Sequence, residues 1–107
     1  MQDDKNPIRQ ALGNLDRLVH EPARLMIMAC LYVVESCDFT FLSNQTGLTH
    51  GNLSSHMSKL ETAGYIEIEK EFVDRKPHTM LRLTEDGRSA FREYRRLIEG
   101  VFEDLPD

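Results

Sequence analysis

Leu48-Thr49-His50-Gly51-Asn52-Leu53-Ser54-Ser55-His56-Met57-Ser58-Lys59-Leu60-Glu61-Thr62-Ala63-Gly64-Tyr65-Ile66 is the stretch on which the reading of this chain turns. Thr49 is a residue type that caps a helix N-terminus through its hydroxyl, and Gly64 suits the stop that follows. Between them Leu53, Met57 and Leu60 form one apolar stripe at about 100° per residue. With that stripe turned inward, Gly51, Asn52, Ser54, Ser55, Ser58, Lys59 and Thr62 project away from the core, and none is bulky and apolar. A helix that enters a DNA major groove needs such a slim outer face, with hydrogen-bonding groups near its N-terminus. Thr49 and the unpaired N–H groups of the first turn add a local anion site, and Lys59 adds a formal charge. His50 and His56 flank the apolar stripe and can touch DNA or hydrogen-bond within the protein; His50 is expected with Thr49, Gly51 and Asn52 in the DNA-contacting set, and packing is the expectation for His56. An ordinary solvated helix face with exposed serines is the competing reading of the same composition.

On the N-terminal side, Phe39, Phe41 and Leu42 give a short helix that ends before Gly47, where a left-handed backbone suits glycine. Ser36-Cys37-Asp38 reads as a turn. Before it, Pro22 opens a helix whose core set includes Leu25, Ile27, Met28, Leu31 and Val34, apolar nearly all round and therefore central. Asn6-Pro7 resembles a cap with proline in the first turn, and Ile8, Ala11, Leu12, Leu15, Leu18 and Val19 recur at helical spacing. The first helix is thus expected over about 7–19, broken by His20-Glu21-Pro22.

On the C-terminal side the period changes from 3.6 to 2. Ile66, Ile68 and Phe72 alternate against Glu67, Glu69 and Glu71, and Thr79, Leu81 and Leu83 alternate against Met80 and Arg82. The connector Val73-Asp74-Arg75-Lys76-Pro77-His78 makes a hairpin with a basic tip, stiffened by Pro77. Arg75 and Lys76 can reach a DNA backbone or the adjacent minor groove, or else serve only as a solubilising loop. Thr84-Glu85-Asp86-Gly87 then starts an amphipathic helix over about 85–103, carried by Ala90, Phe91, Tyr94, Leu97, Ile98, Val101 and Phe102. The order helix, helix, helix, helix, strand, strand, helix is mainly α with a two-stranded β-wing, an α+β winged helix-turn-helix built as one domain over 1–107.

The quoted stretch, followed by Arg75-Lys76-Pro77 and Leu83-Thr84-Glu85-Asp86-Gly87-Arg88, resembles the MarR/ArsR-type winged-helix regulators over about residues 20 to 100. That resemblance implies a double-stranded-DNA-binding homodimer, its dimer commonly built from the first and last helices. The residues point the same way. Ile8, Leu12, Leu15, Val19, Tyr94, Leu97, Ile98, Val101 and Phe102 are more apolar side chains than two terminal helices of a small domain can hide alone. A twofold dimer would set two recognition helices about 34–36 Å apart, one DNA turn, to match a pseudopalindromic operator. The expected function is sequence-specific DNA-binding transcription regulation. A small-molecule effector is a further partner such a dimer can accommodate, in a cleft between dimer helices and core.

Composition bounds these readings. The chain has 107 residues, 40% apolar and 29% charged, which is ordinary for one globular domain. Its net charge of −5 runs against a nucleic-acid partner. Much of the acidity sits toward the ends, at Asp3, Asp4, Glu99, Glu103, Asp104 and Asp107, away from the candidate contact segment. A winged-helix module that binds proteins without specific DNA affinity is therefore the rival reading. No apolar stretch is long enough for a membrane and the N-terminus lacks a secretory pattern, so a cytoplasmic location is expected. Cys30 and Cys37, seven apart, read as buried thiols rather than a disulfide or metal site. No catalytic motif or phosphate loop is present, and neither enzyme activity nor a cofactor is expected.

Overall fold

The computed structural model describes residues 6–103 and 105–106, so Asp3, Asp4, Asp104 and Asp107 lie outside the described residues. Its elements are α1 (Pro7–Gly13), α2 (Pro22–Val34), β1 (Ser36–Asp38), α3 (Phe39–Thr46), α4 (His50–Thr62), β2 (Ile66–Val73), β3 (Lys76–Leu83) and α5 (Glu85–Glu103). This is the expected winged helix-turn-helix with one added strand. Ser36-Cys37-Asp38 is not a free turn but a strand pairing antiparallel with Met80-Leu81-Arg82, giving the sheet order β1-β3-β2.

The caps follow from side-chain chemistry. Asn6 Oδ1 accepts from the N–H groups of Ile8 (2.9 Å) and Arg9 (3.1 Å), and Pro7 sits where a helix needs no N–H. α1 ends at Gly13, short of the expected 19. Asn14 caps it, and Asp16 Oδ1 then accepts the Leu18 N–H at 2.9 Å, holding a turn in place of more helix. Leu15 and Val19 are buried from that turn, so their spacing reflects core contact without helix.

One core holds the elements together. Ile27, Met28 and Leu31 of α2, Leu42 of α3, Leu53, Met57 and Leu60 of α4, and Ile66, Leu81 and Leu83 of the sheet are buried in one cluster with Val19 and Cys37. α2 is central as expected, but Val34, expected in its core set, is exposed beside Val33 at the helix end and lies outside the core. Cys30 and Cys37 are free thiols; burial, reinforced by the neighbouring Cys30 and Asp38, pushes Cys37 up to about 11.

Tyr65, just after α4, hydrogen-bonds Asp16 through its hydroxyl and so ties the 14–21 turn to the end of that helix. The Asp16 bond, with burial, raises the phenol to about 12. Because the folded value exceeds the unfolded value near 10, this contribution is complete below about pH 10 and is lost as pH rises toward 12. Tyr65→Phe is expected to cost about 1 kcal/mol at pH 7, measured by urea unfolding, and to blunt the alkaline loss of stability above pH 10. An unchanged unfolding midpoint would contradict the tie.

Candidate nucleic-acid interface

α4 is set by the turn that precedes it. Gly47 adopts φ 69°, returning Leu48 toward the core and redirecting the chain between α3 and α4. Asp38 Oδ1 caps α3 by accepting the Phe41 N–H at 2.7 Å, and Thr49 Oγ1 caps α4 by accepting the Asn52 N–H at 3.2 Å. Leu53 and Leu60 are fully buried and Met57 nearly so, which fixes the rotation of α4 about its axis. Thr49, His50, Gly51, Asn52, Ser54, Ser55, Ser58, Lys59 and Thr62 are all exposed in consequence.

The two histidines differ. His56 is half-buried, and its Nδ1 lies 3.1 Å from Nη1 of Arg24 on α2. A guanidinium only donates, so Nδ1 accepts and the imidazole is tied into the fold. Arg24 Nε also donates to the Leu18 carbonyl at 2.6 Å, while Glu21 Oε2 accepts the Arg24 N–H at 2.8 Å. Burial opposes ionisation of Glu21, but the Arg24 and Ala23 backbone N–H groups and the nearby Arg24 charge outweigh it and lower its pKa. This Glu21–Arg24–His56 group braces the back of α4 against α2 and is absent from the sequence reading. Its one local signal is an arginine within a largely apolar helix. His50 is exposed and meets the Phe39 ring edge-on at 5.1 Å between centroids.

The hairpin is tighter than the sequence suggests. β2 and β3 run in register from Ile66↔Leu83 to Val73↔Lys76, leaving only Asp74 and Arg75 in the turn. Both have positive φ, 51° and 66°, the twist a two-residue hairpin requires. Arg75 therefore stands at the tip and Lys76 opens β3, both exposed. Pro77 lies opposite Phe72, one pair beyond the closing pair. In such a hairpin that position faces away from the partner strand, so the missing N–H takes nothing from the ladder.

Several of the positive charges are held in ion pairs. Arg82, Arg95 and Arg96 are paired with Glu67, Glu99 and Glu93. Among the described residues, no ion pair engages Lys59, Arg75 or Lys76, the three cations carried by the outer face of α4 and the hairpin tip.

A family model described as a winged helix DNA-binding domain matches residues 23–101. An uncharacterized protein of Methanocaldococcus jannaschii is 36% identical over 78 residues, covering 73% of this chain and 85% of that protein. Among solved structures, the transcriptional regulator homologue from Pyrococcus horikoshii OT3 is similar with a TM-score of 0.82 at 27% identity, covering 92% of this chain and 98% of that one. The transcriptional repressor CouR, solved bound to a 23-mer DNA duplex, shares the fold with a TM-score of 0.72 at 21% identity, over 92% of this chain and 68% of that one. The chain belongs to the winged helix DNA-binding domain family and has the fold of the MarR-type transcription regulators.

Proposed function

We propose that the chain is a sequence-specific, double-stranded-DNA-binding transcription regulator that acts as a homodimer. The observation that carries this reading is the exposed polar face of α4 beside a basic hairpin tip whose cations have no ion pair among the described residues. α4 enters the major groove, with Asn52, Ser54, Ser55 and Ser58 offered to base edges and phosphates. Thr49, Lys59, Arg75 and Lys76 hold the backbone, and the tip reaches the flanking minor groove.

The terminal helices supply the dimer in this reading. Of the nine side chains expected there, Leu15 and Val19 are buried by the subunit's own core and have little surface to share. Leu12 (47%) and Phe102 (66%) are exposed, while Ile8, Tyr94, Leu97, Ile98 and Val101 are half-buried. Tyr94 also meets Nδ1 of His20 through its hydroxyl at 2.9 Å. α1 contributes no buried residue and α5 only Gly87, although α5 runs for 19 residues. The radius of gyration is 16.5 Å, against about 13 Å for a compact domain of this length. Helices projecting from the body with uncovered apolar side chains fit a partner of the same kind.

The deciding experiment is salt-dependent binding to labelled duplex DNA. Affinity is expected to fall steeply and linearly in log–log form as salt rises, and Arg75→Ala with Lys76→Ala should weaken binding to all duplexes and lower the dimer's slope by about four, about two for each subunit. Binding without a salt slope, or none at low salt, would favour the protein-binding module.

A further inference from the structure

The wing carries an apolar group that neither the core nor the basic tip explains. Phe72 is 78% exposed and Val73 45% exposed, and Pro77 stands directly across from Phe72. Single exposed apolar side chains are common on soluble proteins, but Phe72 and Pro77 stand side by side on one face of the tip, next to Arg75. The alternation shows which way they face. Ile66, Ile68, Lys70 and Phe72 lie on one side of β2, opposite Leu83, Leu81, Thr79 and Pro77 of β3. Glu67, Glu69, Glu71 and Val73 lie on the other side, opposite Arg82, Met80, His78 and Lys76. Residues 69–73 are all exposed, so about 16 Å of strand extends past the body and its core-side face meets nothing there. The wing is thus two-faced, with Phe72, Pro77, Thr79 and the cation Lys70 on one side and three glutamates, Val73, Lys76 and the Glu67-paired Arg82 on the other. The Phe72 side carries a cation and no carboxylate, so it can meet a polyanion without like-charge repulsion.

We propose, resting on the DNA-binding reading above, that Phe72 is an apolar wedge that packs into the minor groove beside the α4 site. Lys70 on the same face and Arg75 at the tip hold the flanking phosphates. Minor-groove proteins use phenylalanine and proline in this way to part base steps, and the Phe72–Pro77 pair presents both residue types at one point. The wedge adds affinity without releasing counterions, so its contribution is separable from that of the basic residues.

The chain contains no tryptophan, so Phe72→Trp places a single indole at the proposed contact. Its emission is followed while an unlabelled mixed-sequence duplex of roughly 30 base pairs, three helical turns, is added at low salt. A fluorescein-labelled copy of the same duplex reports binding separately by anisotropy. The expected result is loss of at least about half the indole emission in step with binding, together with an affinity roughly tenfold weaker for Phe72→Ser at an unchanged salt slope. Because Phe72 is exposed, both variants should unfold at the wild-type temperature. Normal anisotropy with unchanged emission and wild-type affinity for Phe72→Ser would overturn the wedge and leave DNA binding standing. No anisotropy change with wild-type protein would remove both.

Discussion

Leu12→Glu combined with Phe102→Glu is expected to convert a micromolar dimer to monomer and to weaken binding to a two-half-site operator by at least about a hundredfold. Both side chains are exposed on the isolated subunit, so glutamate there removes nothing from the core. In a dimer through α1 and α5 their remaining surface becomes covered, so each substitution forfeits roughly 1–2 kcal/mol of apolar burial, and twofold symmetry doubles the effect. Four carboxylates would then meet at the seam and add repulsion. Once the subunits part, the second half-site is no longer bound intramolecularly, and a gain in apparent affinity on the order of 10²–10⁴ disappears. Sedimentation velocity and duplex titration check the two halves. A dimer that persists in the double variant would place the seam elsewhere, and monomeric wild type would end the operator-spacing argument.

Gly87→Ala is expected to cost about 3 kcal/mol and to lower the melting temperature by roughly 15 °C. Ordinary helix propensity predicts the opposite sign, since alanine favours helix over glycine by about 1 kcal/mol. Packing decides the outcome. A Cβ on Gly87 would lie 2.1 Å from the Tyr65 carbonyl oxygen and 2.9 Å from Leu83 Cδ1. The Tyr65 carbonyl cannot move freely, because it accepts the Thr84 N–H at 3.0 Å. Thr84 Oγ1 in turn donates to the Gly64 carbonyl at 2.6 Å and accepts the Gly87 N–H at 3.0 Å. The start of α5 is therefore locked onto the end of α4 through residues 64, 65 and 84, and this joint sets where the terminal arm leaves the body. Differential scanning calorimetry checks it; a melting temperature raised or unchanged would show that the joint yields.

Much of the fold was legible because its signals are local. Thr49, the Leu53–Met57–Leu60 stripe and Gly64 lie within one helix length, and each constrains the backbone without reference to distant residues. Gly47 and Pro22 act in the same way. β1 was missed because three residues show no alternation, and their pairing partners at 80–82 lie more than 40 positions away. α1 was read too long because Leu15, Leu18 and Val19 hold helical spacing after the helix has ended, through a turn organised by Asn14 and Asp16. The hairpin tip lacks glycine, the usual mark of a two-residue turn, so Asp74 and Arg75 disguised it as a longer connector. Phe72 alternated as a core residue should, yet strand period reports a face and not what covers it. The brace behind α4 depends on Glu21, Arg24 and His56 meeting across two helices, which no local spacing encodes.

Operator recognition requires the polar side of α4 to enter a major groove twice, once from each subunit. Selection of bound sequences from a random duplex pool tests this most directly, with wild-type protein and no assumed operator. The expected product is an inverted repeat whose half-site centres lie about 10–10.5 base pairs apart, or a whole multiple of that. A pool that stays random through repeated rounds, while the protein remains folded, would contradict it.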